Sequence, residues 1–198
     1  GLVIAGPLNP PAGPVASTYK TLSEVEPRTA INAANTPGDA TSVFKITQPG
    51  SYYLTGNITG VSGKDGIQIN VSGVSLDLNG FELLGVSGSL NGVNIVAGAA
   101  LTNIAVLNGS VRNWGGAGVT TLFGGSDFRV SGILASGNLG SGIKLGELLS
   151  ASPNNVACTV THCTAANNSG DVAISVGNGS TVSNCSVSTN NTANGIFA

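Results

Sequence analysis

The chain has 198 residues, of which only 8% are charged, and its formal net charge is −2. An average soluble protein carries roughly 25% charged residues, so this surface is polar but barely ionic, and nucleic acid is excluded as an expected partner by the lack of a basic patch. No apolar run approaches the roughly 20 residues of a membrane-spanning helix, and 30 glycines among many Asn, Ser and Thr point to a turn-rich β scaffold.

Residues 1–42 differ in composition from the rest of the chain. They open with an apolar, β-prone hexapeptide, Gly1, Leu2, Val3, Ile4, Ala5 and Gly6, and hold Pro7, Pro10, Pro11, Pro14, Pro27 and Pro37, six of the eight prolines. Proline fixes φ and removes a backbone donor, so this stretch reads as an extended arm. Residues 21–31 (TLSEVEPRTAI) could form one helical turn before Pro27 interrupts it. The start at Gly1 and the absence of Met fit removal of a secretory leader or of an added segment. The first is the expectation.

The β domain is expected over residues 43–198. Residues 45–59 (KITQPGSYYLTGNIT) read as two short strands around Pro49-Gly50, a first coil. From Gly66 a short phrase returns: GIQI, then GVNI at Gly92, GVTT at Gly118, GIKL at Gly142, AISV at Ala173 and GIFA at Gly195, with starts 22 to 31 residues apart. A repeat of that length built on β-prone runs marks a solenoid. Aligning the phrases predicts two inward columns. One stacks Ile67, Val93, Val119, Ile143, Ile174 and Ile196, the other Ile69, Ile95, Thr121, Leu145 and Val176, because alternate strand residues share a face.

A second register is present in each coil. VSGI (130–133), VTHC (160–163) and VSNC (182–185) align without gaps, with Val130, Val160 and Val182 inward before a bend and Ile133, Cys163 and Cys185 after it. LDLNGF (76–81) and VLNGSV (106–111) fit less well. Gly132, His162 and Asn184 lie between, and these are types that tolerate positive φ. A one-residue left-handed corner is predicted. Asn113, Asn138, Asn168 and Asn191 recur before the next coil start and predict a side-chain amide ladder along the solenoid.

The GI-x-I starts, VSLDLNGFELLG (74–85) and endings such as ASGN (135–138) resemble bacterial secreted right-handed parallel β-helix repeat proteins of the broad pectin-lyase-like superfamily. The likeness covers roughly residues 43–198, and the proline-rich arm resembles leaders seen ahead of such repeats. It implies an all-β, single-stranded right-handed parallel β-helix of about six coils, on a secreted or cell-surface bacterial protein. It does not select an activity, since the superfamily holds polysaccharide lyases, glycosidases, epimerases, adhesins and phage fibres.

Candidate chemistry is sparse. His162, the one histidine, could act as a base, but the alignment makes it a corner residue. Cys163 and Cys185 stack as buried thiols or, less favourably, an inter-coil disulfide. Cys158 has no repeat equivalent, and C-x4-C (158–163) without further ligands is a poor metal signal. Uronate-cleaving β-helices use acidic residues with an Arg or Lys, yet Asp77, Glu82, Arg112, Asp127, Arg129, Lys144, Glu147 and Asp171 are scattered and match no lyase motif. Neither catalytic residues nor metal or cofactor are expected. Asn-x-Ser/Thr triplets at Asn57, Asn70, Asn178 and Asn184 arise by composition.

Two functions are expected. The chain ends NGIFA, at the opening strand of a coil with no visible cap. Together with the arm this suggests strand addition between copies, through Gly1, Leu2, Val3, Ile4, Ala5 and Gly6 at one end and Gly195, Ile196, Phe197 and Ala198 at the other. If head-to-tail, the product is a filament. The alternative is a carbohydrate-active protein, lyase-like or glycan-binding, with a groove carrying Arg112, an exposed Trp114, Asp127, Arg129 and Lys144. There the partner is an extracellular polysaccharide.

Overall fold

A computed structural model describes residues 25–96, 101–121, 124–145, 157–191 and 194–198. Their elements are β strands joined in two parallel sheets. One side of the molecule stacks Ser42–Ile46, Asp65–Ile69, Val93–Ile95, Val119–Thr121, Ile143–Leu145, Val172–Val176 and Asn194–Phe197 in chain order. Seven successive strands on one side make a β-solenoid of about six turns. The second sheet covers two further sides, because its long strands Leu101–Arg112 and Gly125–Ser136 bend in mid-course.

The GI-x-I alignment is the observed register. Ile67 pairs with Val93, Val93 with Val119, Val119 with Ile143, Ile143 with Ile174 and Ile174 with Ile196. The column extends one coil earlier than predicted, to Phe44 opposite Ile67 and Ile46 opposite Ile69. Ile67, Val93, Val119, Ile143 and Ile174 are wholly buried, each contributing about 1.5–3 kcal/mol of hydrophobic stabilisation.

The bends explain the cross-section. Positive φ occurs at Asn103, Asn108 and Asn113, at Asp127, Gly132 and Gly137, at Ala157, His162 and Asn167, and at Gly179, Asn184 and Thr189. In each of these four coils the three left-handed residues therefore stand five apart. Pairing brings each set over the next, since Ser131 lies opposite Thr161 and Thr161 opposite Ser183. The predicted corner at Gly132, His162 and Asn184 is the middle one of the three. Between corners, inward positions carry Phe128, Val130, Ile133 and Ala135, then Cys158, Val160, Cys163 and Ala165, all buried.

The poorer fit of LDLNGF has a physical cause. Asp77 pairs with Leu107 but Glu82 pairs with Ser110, so two extra residues must be absorbed around Asn79 and Gly80, both at positive φ. Leu78 turns fully into the core as a result. The next coil answers with Gly109, where a Cβ would lie 2.5 Å from the Leu78 Cβ.

The sheet begins before residue 43. Thr29–Ala30 pairs in parallel with Tyr52 and Tyr53, and Ile31 joins the core. Arg28 anchors this early strand. Its guanidinium forms a two-point pair with Glu26 (2.8 Å for both contacts), reaches Asp77 Oδ2 at 3.1 Å and stacks 4.6 Å from the Tyr53 ring centre. The helical turn considered ahead of Pro27 falls largely on residues 21–24, and residues 1–24 lie outside the described residues.

Residues 36–39 fold back along the outer edge of Ser42–Ile46. Pro37 bridges Phe44 antiparallel, Lys45 N donates to Thr36 O and Asp39 N to Ser42 O. Asp39 Oδ1 also accepts from the backbone of Thr41 and Ser42, and its carboxylate pairs with Lys45. Proline offers no further N–H, so this strand edge is closed to additional pairing.

Hydrogen bonds from Arg28 hold the Glu26 carboxyl down to about 2 from an ordinary 4.5, and Lys45 holds Asp39 below the usual carboxylate range. A carboxylate depressed on folding adds stability above its unfolded pKa and loses it as pH falls towards the folded one. Acidification from about pH 4.5 to 2 is therefore expected to loosen residues 26–45 before the stacked coils. Amide NMR signals of Thr29–Ile31 should broaden or shift first, and a simultaneous loss of all β signals would contradict this.

Candidate functional site

Among the described residues, the two ends of the solenoid differ in kind. At the N-terminal end the outer strand edge is covered by Pro37 and its neighbours. At the C-terminal end, the last described strand, Asn194–Phe197, pairs with Val172, Ile174 and Ser175. Ile196 and Phe197 remain 45% and 39% exposed. Thr181–Ser183 and Ser186–Ser188 end the other sheet in the same way. Here Val182, Cys185 and Val187 continue inward core columns but are only half-buried.

Of the predicted assembly residues, Gly195, Ile196, Phe197 and Ala198 fall on this open end. Gly1, Leu2, Val3, Ile4, Ala5 and Gly6 lie outside the described residues.

The register sets the candidate groove residues on different strands. Lys144 belongs to the first side, opposite Thr120 and Ser175. Exposed Arg129 is on the second, between Ala105 and Thr159. Arg112 is on the third and is ion-paired with Glu82, which pushes its pKa up. Asp127 occupies a left-handed corner, bonded to Ser126 Oγ. The strands that carry Lys144, Arg129 and Arg112 thus belong to different sides of the solenoid.

Trp114 is the larger correction, for it is wholly buried rather than exposed. It occupies the position filled in later coils by Asn138, Asn168 and Asn190. Asn138 Nδ2 donates to Val111 O (3.2 Å), Asn168 Nδ2 to Ala135 O (3.0 Å) and Asn190 Nδ2 to Ala165 O (2.8 Å). Trp114 Nε1 makes the equivalent bond, to Leu83 O at 3.1 Å. The amides also bond to each other, Asn138 Nδ2 to Asn168 Oδ1 and Asn168 Nδ2 to Asn190 Oδ1. Trp114 N closes the row on Asn138 Oδ1. The ladder predicted from Asn113, Asn138, Asn168 and Asn191 is therefore Trp114, Asn138, Asn168 and Asn190, Asn113 being the corner residue beside it.

A second buried polar row, missed in the sequence, joins the early coils. Asp65 Oδ1 accepts from Asn91 N (2.8 Å) and Asn91 Nδ2 (3.0 Å), and Oδ2 accepts from Gln68 Nε2 and Asn94 Nδ2 (2.8 Å each). With four donors the carboxylate is saturated, which makes it a fastener of coils rather than a reactive group. Its signal was the polar residue just before each coil start, Asp65 and then Asn91.

No protein-family model, curated protein or solved structure matches this chain. Among the described residues, no helix is long and apolar enough to cross a membrane.

Proposed function

We propose that the chain is a non-catalytic, secreted β-solenoid of the pectin-lyase-like kind that assembles head-to-tail into an extracellular bacterial fibre or surface structure. The observation that carries this reading is the exposure of Ile196 and Phe197 on the last described strand. A strand laid against it would cover these apolar side chains and pair with its backbone, the physics of strand addition.

The capped N-terminal edge refines the mechanism. Pro37 already occupies the outer edge of Ser42–Ile46, so a neighbour cannot simply stack its first coil there. The pairing strand has to come from an extended segment. The hexapeptide GLVIAG at residues 1–6 has the composition required, apolar and free of charge. Docking it on the neighbour's Asn194–Phe197 is a heterologous contact that propagates without closing.

Negative-stain electron microscopy tests the proposal. The intact chain is expected to give fibres that lengthen with concentration. Ile196→Lys with Phe197→Lys, or deletion of residues 1–6, should leave single particles with unchanged β circular dichroism. Dispersed particles from the intact chain at every concentration, or fibres indifferent to both variants, would sink it.

A further inference from the structure

The last two described coils carry a pair of thiols that the assembly reading does not use. Thr161 pairs with Ser183 and Thr164 with Ser186, so Cys163 and Cys185 share one register position in adjacent coils. Neighbouring strands are about 4.8 Å apart, within the roughly 4.4–6.8 Å between Cα atoms that a disulfide spans. Both follow a left-handed corner, at His162 and Asn184.

Both side chains also turn the same way. Cys163 Sγ donates to Thr161 O and Cys185 Sγ to Ser183 O, each at 3.2 Å. Cys185 Sγ further reaches Val160 O at 3.6 Å, which belongs to the coil of Cys163. The register sets Cys158 opposite Phe128 and Ser180 instead.

We propose that Cys163 and Cys185 are an oxidation site that closes into an inter-coil disulfide and latches the open C-terminal coil to the coil behind it. The oxidant is a low-molecular-weight disulfide. Cys185, half-buried, is the thiol it can reach. Cys185 loses its proton, its sulfur attacks one sulfur of the oxidant, and a thiolate leaves and takes up that proton. Cys163 then loses its proton and attacks Cys185 Sγ, breaking the mixed disulfide and expelling the second thiolate, which is protonated in turn. One S–S bond is formed in the protein and one consumed in the oxidant, with two electrons passing from the cysteines to it.

Burial sets the order of events. It pushes the Cys163 thiol up to about 11, with the Cys185 sulfur adding to the effect, so Cys163 is a poor first nucleophile. Once Cys185 is activated, proximity lets Cys163 complete the exchange. The latch stands whether or not the chain forms fibres.

The experiment is oxidation of the intact, folded chain with oxidised glutathione, then alkylation and non-reducing peptide mapping. The expected product has lost two hydrogens and joins the peptides of Cys163 and Cys185, with Cys158 alkylated after unfolding. Cys158→Ala should form the same link and Cys185→Ala none. Amide exchange across residues 181–188 should slow by about tenfold or more in the oxidised chain, as the cross-link restricts the opened state. A glutathione adduct persisting on Cys185, a link that includes Cys158, or a native chain with both thiols unreacted would overturn the proposal.

Discussion

Asn168→Ala is expected to destabilise the solenoid by about 3–5 kcal/mol, through unsatisfied buried groups rather than lost volume. Asn168 is wholly buried. Its Oδ1 accepts from Asn138 N and Nδ2, and its Nδ2 donates to Ala135 O and Asn190 Oδ1. Asn190 Oδ1 would keep a donor in Asn168 N, and Asn138 Nδ2 would keep Val111 O. The Asn138 backbone N–H would keep none of these, while the Ala135 carbonyl, inside the paired strand Gly125–Ser136, would lose one of its donors. The orphaned N–H costs about 1–3 kcal/mol and each further lost hydrogen bond about 0.5–1.5 kcal/mol, and the sum should lower the melting midpoint by about 10 °C in a chain of this size. The comparison that isolates the mechanism is Asn190→Ala, at the half-buried end of the same ladder, expected to cost about 1–2 kcal/mol. Thermal melts giving equal losses for the two would show that the ladder bears no special load. Because solenoid coils depend on their neighbours, amide exchange in Asn168→Ala should rise first in the coils from Thr159 onwards.

The part of this fold written most plainly in the sequence is the side where hydrophobic alternation repeats. Ile67, Val93, Val119, Ile143 and Ile174 are large, alike and locked to a glycine or alanine start, so aligning the phrases amounts to aligning the strands. Corners are written less plainly. A left-handed position selects for backbone tolerance, and Asn, Asp, Gly and His all meet it. Ala157 and Thr189 meet it at a cost, and those two hide the five-residue spacing that the other coils would reveal.

The asparagine ladder was legible to within one residue, and the error is instructive. Asn167-Asn168 and Asn190-Asn191 are doublets in which one amide turns inward or marks a corner while its neighbour faces out. Alternation alone cannot choose between them without the corner register. The candidate groove residues share chemistry but not register, because a solenoid distributes successive residues over three sides. What remained invisible was the asymmetry of the two ends. It rests on an antiparallel bridge from Pro37 to Phe44, within a stretch whose prolines suggested only an extended arm.

Trp114 tests the other end of the ladder. As the chain's one tryptophan, its fluorescence should be blue-shifted and resistant to iodide, and no glycan should alter it. An emission like that of free indole in water would contradict the burial. Trp114→Ala should then cost about 3–5 kcal/mol, the range for deleting a buried aromatic ring. The chain offers little to fill the void, because the ring is walled by backbone. A Cβ at Gly66 would lie 2.7 Å from the Trp114 Cη2, and one at Gly60 2.8 Å from the same atom. Trp114→Phe separates the two contributions. It keeps most of the ring but removes the indole donor to Leu83 O, a carbonyl already inside the pairing of Leu83 with Val111, and about 0.5–1.5 kcal/mol is expected for the lost hydrogen bond. Should Trp114→Phe match the wild-type melt, the N–H would be dispensable and the residue a plain filler. Should it fall as far as Trp114→Ala, the bond to Leu83 would be what joins the glycine-lined early coils to the asparagine-lined later ones.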